Sequence, residues 1–113
     1  MDDCLFCKII KGEIPAKKVY EDAHTFAFED VNPQAPTHVL IIPKKHVAGL
    51  NEAQVEDAEL IGRLHLVAAE LGRRRGVEDG YRTVLNVGPK SGQSVFHLHL
   101  HLIGGREMRW PPG

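Results

Sequence analysis

The chain has 113 residues, 42% of them hydrophobic and 26% charged, and its 14 basic and 15 acidic side chains give a net charge of −1. That length supports one domain, residues 1–113, with one modest core, and the balanced charge leaves no basic footprint for a nucleic-acid polymer. No apolar run approaches the ~18 residues of a membrane span, and the acidic start Met1-Asp2-Asp3 leads into no signal peptide, so the expected location is cytoplasmic.

Cys4 to Lys11 reads as a short helix with Leu5, Phe6, Ile9 and Ile10 apolar, and Gly12 as the residue that ends it. Cys4 and Cys7 are the only cysteines, and a lone C-x-x-C without a secretory signal points to metal or redox use rather than a structural disulfide. No βαβ pattern surrounds the pair, which argues against a thioredoxin-like role. After Ile14-Pro15, Val19-Tyr20-Glu21 and Thr25 to Phe28 read as two strands joined by a tight turn at Asp22-Ala23. Val31 to Pro36 is a proline-punctuated loop, and Thr37 to Ile42 a strand rich in β-branched residues, closed by Pro43.

One long helix is predicted to start after Asn51 as N-cap, with Gln54 at the third helical position of a capping box. Val55, Ala58, Ile61, Leu64, Ala68 and Leu71 fall at helical spacing and form its core stripe. Arg73, Arg74 and Arg75 sit at its C-terminal end as a solvated, dipole-matched run, and Gly76 stops it. Tyr81 to Val87 and His97 to Ile103 are the fourth and fifth strands. The class is α+β: a five-stranded, antiparallel sheet with one long and one short helix.

The last strand reads His97-Leu98-His99-Leu100-His101-Leu102. Period-two alternation turns the leucines to one face and three imidazoles to the other, about 6.6 Å apart along a strand rising ~3.3 Å per residue. A structural sheet would not stack three histidines, so this face carries chemistry, either metal binding or nucleophilic attack by a neutral imidazole. His38 at the head of a strand is a fourth candidate, whereas His24 and His65 carry no motif. Gly88 to Ser94, just before the triad, offers glycine backbone plus Gln93 and Ser94 as donors to an anion.

His97 to Ile103 resembles the H-φ-H-φ-H-φ-φ signature of the histidine-triad (HIT) superfamily. Phe6-Cys7-Lys8-Ile9-Ile10, Phe28-Glu29-Asp30, Pro33 to His38, Ile42 to His46, Gly92 to His97 and Gly104 to Gly113 are similar to its Hint branch. The resemblance implies hydrolysis of a purine nucleoside 5′-phosphoramidate, with His99 as the nucleophile that takes the nucleotidyl group. It implies that the His97 backbone carbonyl orients His99, and that His101 and His38 assist at the phosphate and the leaving amine. Asp30 would accept from the ribose hydroxyls, and Asn86, Gln93 and Ser94 would lie at the ribose and phosphate. Phe6, Ile9, Ile14, Phe28 and Val31, with Leu5, would form the purine slot. Cys4 and Cys7 resemble half of a structural zinc site completed by His46 and His97. Trp110 in the tail implies a docked position on a second subunit, near its nucleotide site, and hence a homodimer. Glu29 departs from the branch, standing where a histidine often sits. The alternatives are a dinucleoside polyphosphate hydrolase of the Fhit branch, against which the short Trp-Pro-Pro-Gly tail argues, and a nucleotide-binding regulatory or scaffold protein.

Overall fold

The computed structural model describes residues 3–113; the acidic start at Met1 and Asp2 lies outside the described residues. Its elements are α1 (Leu5–Ile10), β1 (Lys18–Glu21), β2 (Thr25–Glu29), β3 (Thr37–Pro43), α2 (Ala58–Arg74), β4 (Tyr81–Val84) and β5 (Leu100–Gly104). All strand pairs are antiparallel, in the order β1-β2-β3-β5-β4. The expected class, sheet and pair of helices are therefore present, and no described helix is long and apolar enough to cross a membrane.

The helix ends follow local chemistry. Cys4 caps α1, its Sγ accepting from the Cys7 N–H at 3.4 Å. Gly12 adopts φ +79°, and the Gly12 and Glu13 amides bond back to the Ile9 and Lys8 carbonyls, closing the helix as a Schellman motif. Gly76 at φ +68° does the same for α2, with Val77 N–H on the Gly72 carbonyl and Val77 buried beyond it.

Three features differ from expectation, the simplest being that β4 ends at Val84 and not at Val87. The long helix begins at Ala58, after two short 3₁₀ turns at Leu50–Glu52 and Val55–Asp57. Ala53 between the turns is extended, so a helix cannot run through from Asn51, and the carboxylate that reaches back is Asp57, onto the Gln54 N–H at 2.9 Å. The core stripe is accordingly Leu64, Val67, Ala68 and Leu71, whereas Val55 and Ala58 are exposed. The final strand pairs only from Leu100. Continuing the β3–β5 ladder would need an N–H from Pro43, which has none. His97, Leu98 and His99 therefore lead into β5 rather than lie within it.

The alternation nevertheless holds. Leu98, Leu100 and Leu102 pack with Ala27, Val39 and Ile41 against α2. On the opposite face Phe26, Phe28, Leu40 and Ile42 bury against Phe6 and Ile9 of α1. β3 is buried along its whole length because both faces are covered. Truncating one such core side chain, as in Leu64→Ala, would cost about 2–5 kcal/mol, which is what keeps the sheet rigid beneath the histidines.

Candidate active site and metal centre

The covered sheet face and its margin gather five imidazoles into two groups. His97 is fully buried. Its Nε2–H donates to the Pro43 carbonyl at 2.8 Å, which leaves Nδ1 as a lone pair facing the cysteines. Cys4 Sγ lies 3.5 Å and Cys7 Sγ 3.6 Å from that Nδ1, and Cys7 Sγ lies 3.3 Å from His46 Nδ1. The four ligand atoms are all within 4.8 Å of one another. Zinc bonds of ~2.0–2.3 Å at tetrahedral angles place ligand atoms roughly 3.3–3.8 Å apart, so these residues fit a zinc ion, with the Pro43 carbonyl fixing the His97 tautomer from behind. Burial first, then the Cys4 neighbour, pushes the Cys7 thiol up from its ordinary value; a bound cation would reverse that by favouring thiolate. As a structural ion it would tie α1 to the sheet.

The second group is the candidate catalytic one. His99 Nδ1–H donates to the His97 carbonyl at 2.7 Å, which leaves His99 Nε2 unprotonated. The edge of Phe6 meets the His99 ring with centroids 5.1 Å apart, and the His99 and His101 centroids are also 5.1 Å apart, closer than the 6.6 Å of a straight strand. His38 Nε2 lies 2.9 Å from His101 Nδ1 and 3.3 Å from Asp30 Oδ2. Burial is the first cause holding all the triad imidazoles and His38 below the usual histidine range. His97 and His101 are pushed down to about 4, while the Asp30 carboxylate opposes the shift at His38, His99 and His101. At neutral pH these are neutral bases and hydrogen-bond donors, as nucleophilic attack requires.

A cleft of about 740 Å³ opens beside them, lined by Ile9, Phe28, Asp30, Val31 and His38 among others. Five of the residues expected at a nucleotide are thus brought together. Phe6 is buried behind them, edge-on to Phe28, His97 and His99. Ile14 packs at the margin of the α1 cluster, and it, Asn86, Ser94 and Trp110 are not among the residues lining the cleft. Trp110 is 82% exposed.

Gln93 is turned into the loop by its contacts. It is buried, its Oε1 accepts from the Gly88 N–H, and its Nε2 donates to the Ala48 and Val95 carbonyls. Both ends of the amide are occupied in shaping the loop, so the side chain positions backbone rather than offering a free donor to phosphate. The arginine run is likewise not simply solvated: Arg74 pairs with Glu70 and lies over the Tyr20 ring, and Arg75 pairs with Glu29 at the cleft rim. Missed entirely was the Gln34 backbone N–H, which donates to His38 Nδ1 at 3.0 Å. No side-chain pattern could signal it, because every residue but proline carries that donor.

Residues 11–108 match the family described as HIT domain. The chain is 54% identical over 111 residues to the 14 kDa zinc-binding protein of maize (Zea mays), covering 96% of this chain and 87% of that one. It is similar to the crystal structure of a HIT family hydrolase from Legionella pneumophila Philadelphia 1, with TM-score 0.96, 54% identity, and coverage of 98% and 100%. It is also similar to a histidine triad nucleotide-binding protein from Candida albicans, with TM-score 0.82, 36% identity, and coverage of 96% and 83%.

Proposed function

The chain belongs to the HIT domain family, and we propose that it is a nucleotide hydrolase that cleaves the P–N bond of purine nucleoside 5′-phosphoramidates through a nucleotidyl intermediate on His99. The observation that carries this reading is the hydrogen bond from His99 Nδ1–H to the His97 carbonyl, because it leaves Nε2 free to attack phosphorus. The hydrolase and nucleotide-binding names of the related structures support the class of reaction.

The cycle balances with these residues alone. The anionic substrate enters with one proton, held on the His38–His101 pair beside Asp30. His99 Nε2 forms a bond to phosphorus as the P–N bond breaks, and the pair passes its proton to the leaving amine through His101. Water then attacks phosphorus, the His99–phosphorus bond breaks, and the proton lost by water returns to the pair. The apolar walls Ile9, Phe28 and Val31 suit a purine, and Asp30 suits a ribose diol. A zinc ion on Cys4, Cys7, His46 and His97 would hold His97, and with it the carbonyl that orients the nucleophile.

The test is turnover of adenosine 5′-phosphoramidate by wild type and His99→Ala, with diadenosine polyphosphate as comparison. We expect the variant to lose roughly a thousandfold or more in kcat while still binding adenosine monophosphate by calorimetry. Wild-type turnover in the variant ends the reading, and preference for the dinucleotide would transfer the site to pyrophosphate cleavage.

A further inference from the structure

The hydrogen bonds around His38 admit one arrangement of protons. The Gln34 backbone N–H can only donate, so His38 Nδ1 accepts from it at 3.0 Å and carries no proton. A neutral His38 then holds its proton on Nε2, facing His101 Nδ1 at 2.9 Å and Asp30 Oδ2 at 3.3 Å. His101 Nδ1 therefore accepts, and its proton sits on Nε2. That nitrogen is buried and has no partner among the described residues, so an N–H is kept ready for a ligand acceptor. When the pair takes up a further proton, His38 Nδ1 is blocked by the Gln34 amide, so the proton goes to His101 Nδ1 and the His38 Nε2–H is left to the Asp30 carboxylate at 3.3 Å.

What fixes Gln34 is the segment after β5. Arg106 Nε–H donates to the Gln34 carbonyl at 2.9 Å, and its Nη1 donates to the Glu107 carbonyl at 3.3 Å. The Gln34 side chain ties back to the Asn32 carbonyl, and the Asn32 amide to Asp30 Oδ1. Gly105 delivers Arg106 to this loop. Its φ of +90° favours glycine, and a Cβ there would come within 3.1 Å of Pro36. The post-β5 segment, the Pro33–Pro36 loop and the His38–His101 pair thus form one chain of contacts.

We propose that Arg106 is a positioning residue: by holding Gln34 it sets the tautomer of His38 and so keeps the catalytic proton on the substrate side, at His101. This rests on the phosphoramidase reading for its kinetic consequence, but not for its structural one.

The experiment is ¹⁵N spectroscopy of the histidine rings together with kinetics, in wild type, Arg106→Ala, Arg106→Lys and Gly105→Ala. Wild type should show a pyridine-type Nδ1 and a pyrrole-type Nε2 at both His38 and His101. Arg106→Ala should mix the His38 tautomers and lower kcat about tenfold with KM nearly unchanged. Arg106→Lys should recover part of both, and Gly105→Ala should mimic the loss. Wild-type rings with the proton on His38 Nδ1 overturn the proposal. So do unchanged tautomers in Arg106→Ala, or a fall in kcat without a change in tautomer. Failure of wild type to turn over any phosphoramidate would instead refute the activity, and the ring spectra would still decide the tautomer.

Discussion

Buried imidazoles make this site sensitive to acid in a direction that can be worked out. His101 is pushed down to about 4 by burial first and then by His99 and His38, while the unfolded chain returns it to ~6.5. Between those values the unfolded state binds more protons, so stability is complete above about pH 6.5 and is lost as pH falls toward 4. From pH 7 to 5 the protonation of His101 in the unfolded chain lowers stability, by an amount that solvent screening at this partly exposed ring reduces. Urea unfolding at the two pH values should therefore show a marked fall in wild type and a smaller one in His101→Gln. Equal falls in both proteins would mean that His101 is not held neutral by its surroundings. The triad residues themselves were legible in the sequence because a period-two run of imidazoles has no structural purpose. Their division of labour was not legible from the residues alone. It depends on which ring nitrogen each neighbour occupies, and those neighbours are the backbone carbonyls of Pro43 and His97 and the backbone amide of Gln34.

At the scale of elements, α1 is the lever between the two halves of the site. A six-residue helix is marginal by itself, yet it carries Cys7, is capped by Cys4, and places Phe6 against His97, His99 and Phe28. Zinc on Cys4, Cys7, His46 and His97 would bind the folded state selectively and stabilise it by about 2.7 kcal/mol at a hundredfold excess over Kd. For a domain of this size that corresponds to about 10 °C in Tm. Chelation of the zinc-loaded protein should lower Tm by that order, Cys7→Ser should start from the lower value, and metal analysis should find zinc in wild type only. A Tm indifferent to both treatments would remove the metal from the account. The elements show how far the sequence reaches. Gly12 and Gly76 were readable as helix stops because positive φ selects glycine. The start of α2 was misread by several residues because Asn51 and Gln54 imitate a capping box, while the effective carboxylate, Asp57, is also held by Lys45 from the end of β3 at 2.6 Å, a contact between residues twelve apart.

The whole molecule leaves apolar surface that one chain does not cover. The core side of α2 is Leu64, Val67, Ala68 and Leu71, but Ala58, Gly62 and Leu66 recur every fourth residue on another, exposed face, with Leu66 72% accessible. Val55 at 93%, Phe96 at 49% and Trp110 at 82% add to it. Half of the predicted helix stripe therefore lies outside the core, as it would if that stripe served two interfaces. The tail carrying Trp110 is anchored, since Arg82 Nη2 donates to the Arg109 carbonyl at 2.7 Å, so the indole is held out rather than loosely displayed. An indole with so much surface in water gains by burial against another protein face. A second copy of the chain would meet the need symmetrically, because a two-fold axis would pair the α2 face with itself. Light scattering should then give twice the 12.6 kDa of one chain. Leu66→Glu, which places a charge at the centre of that face without touching the core, should give a folded monomer with an unchanged far-ultraviolet spectrum. A wild-type monomer, or a Leu66→Glu dimer, would mean that this face serves no self-association, and the exposure of Trp110 would then call for a different partner.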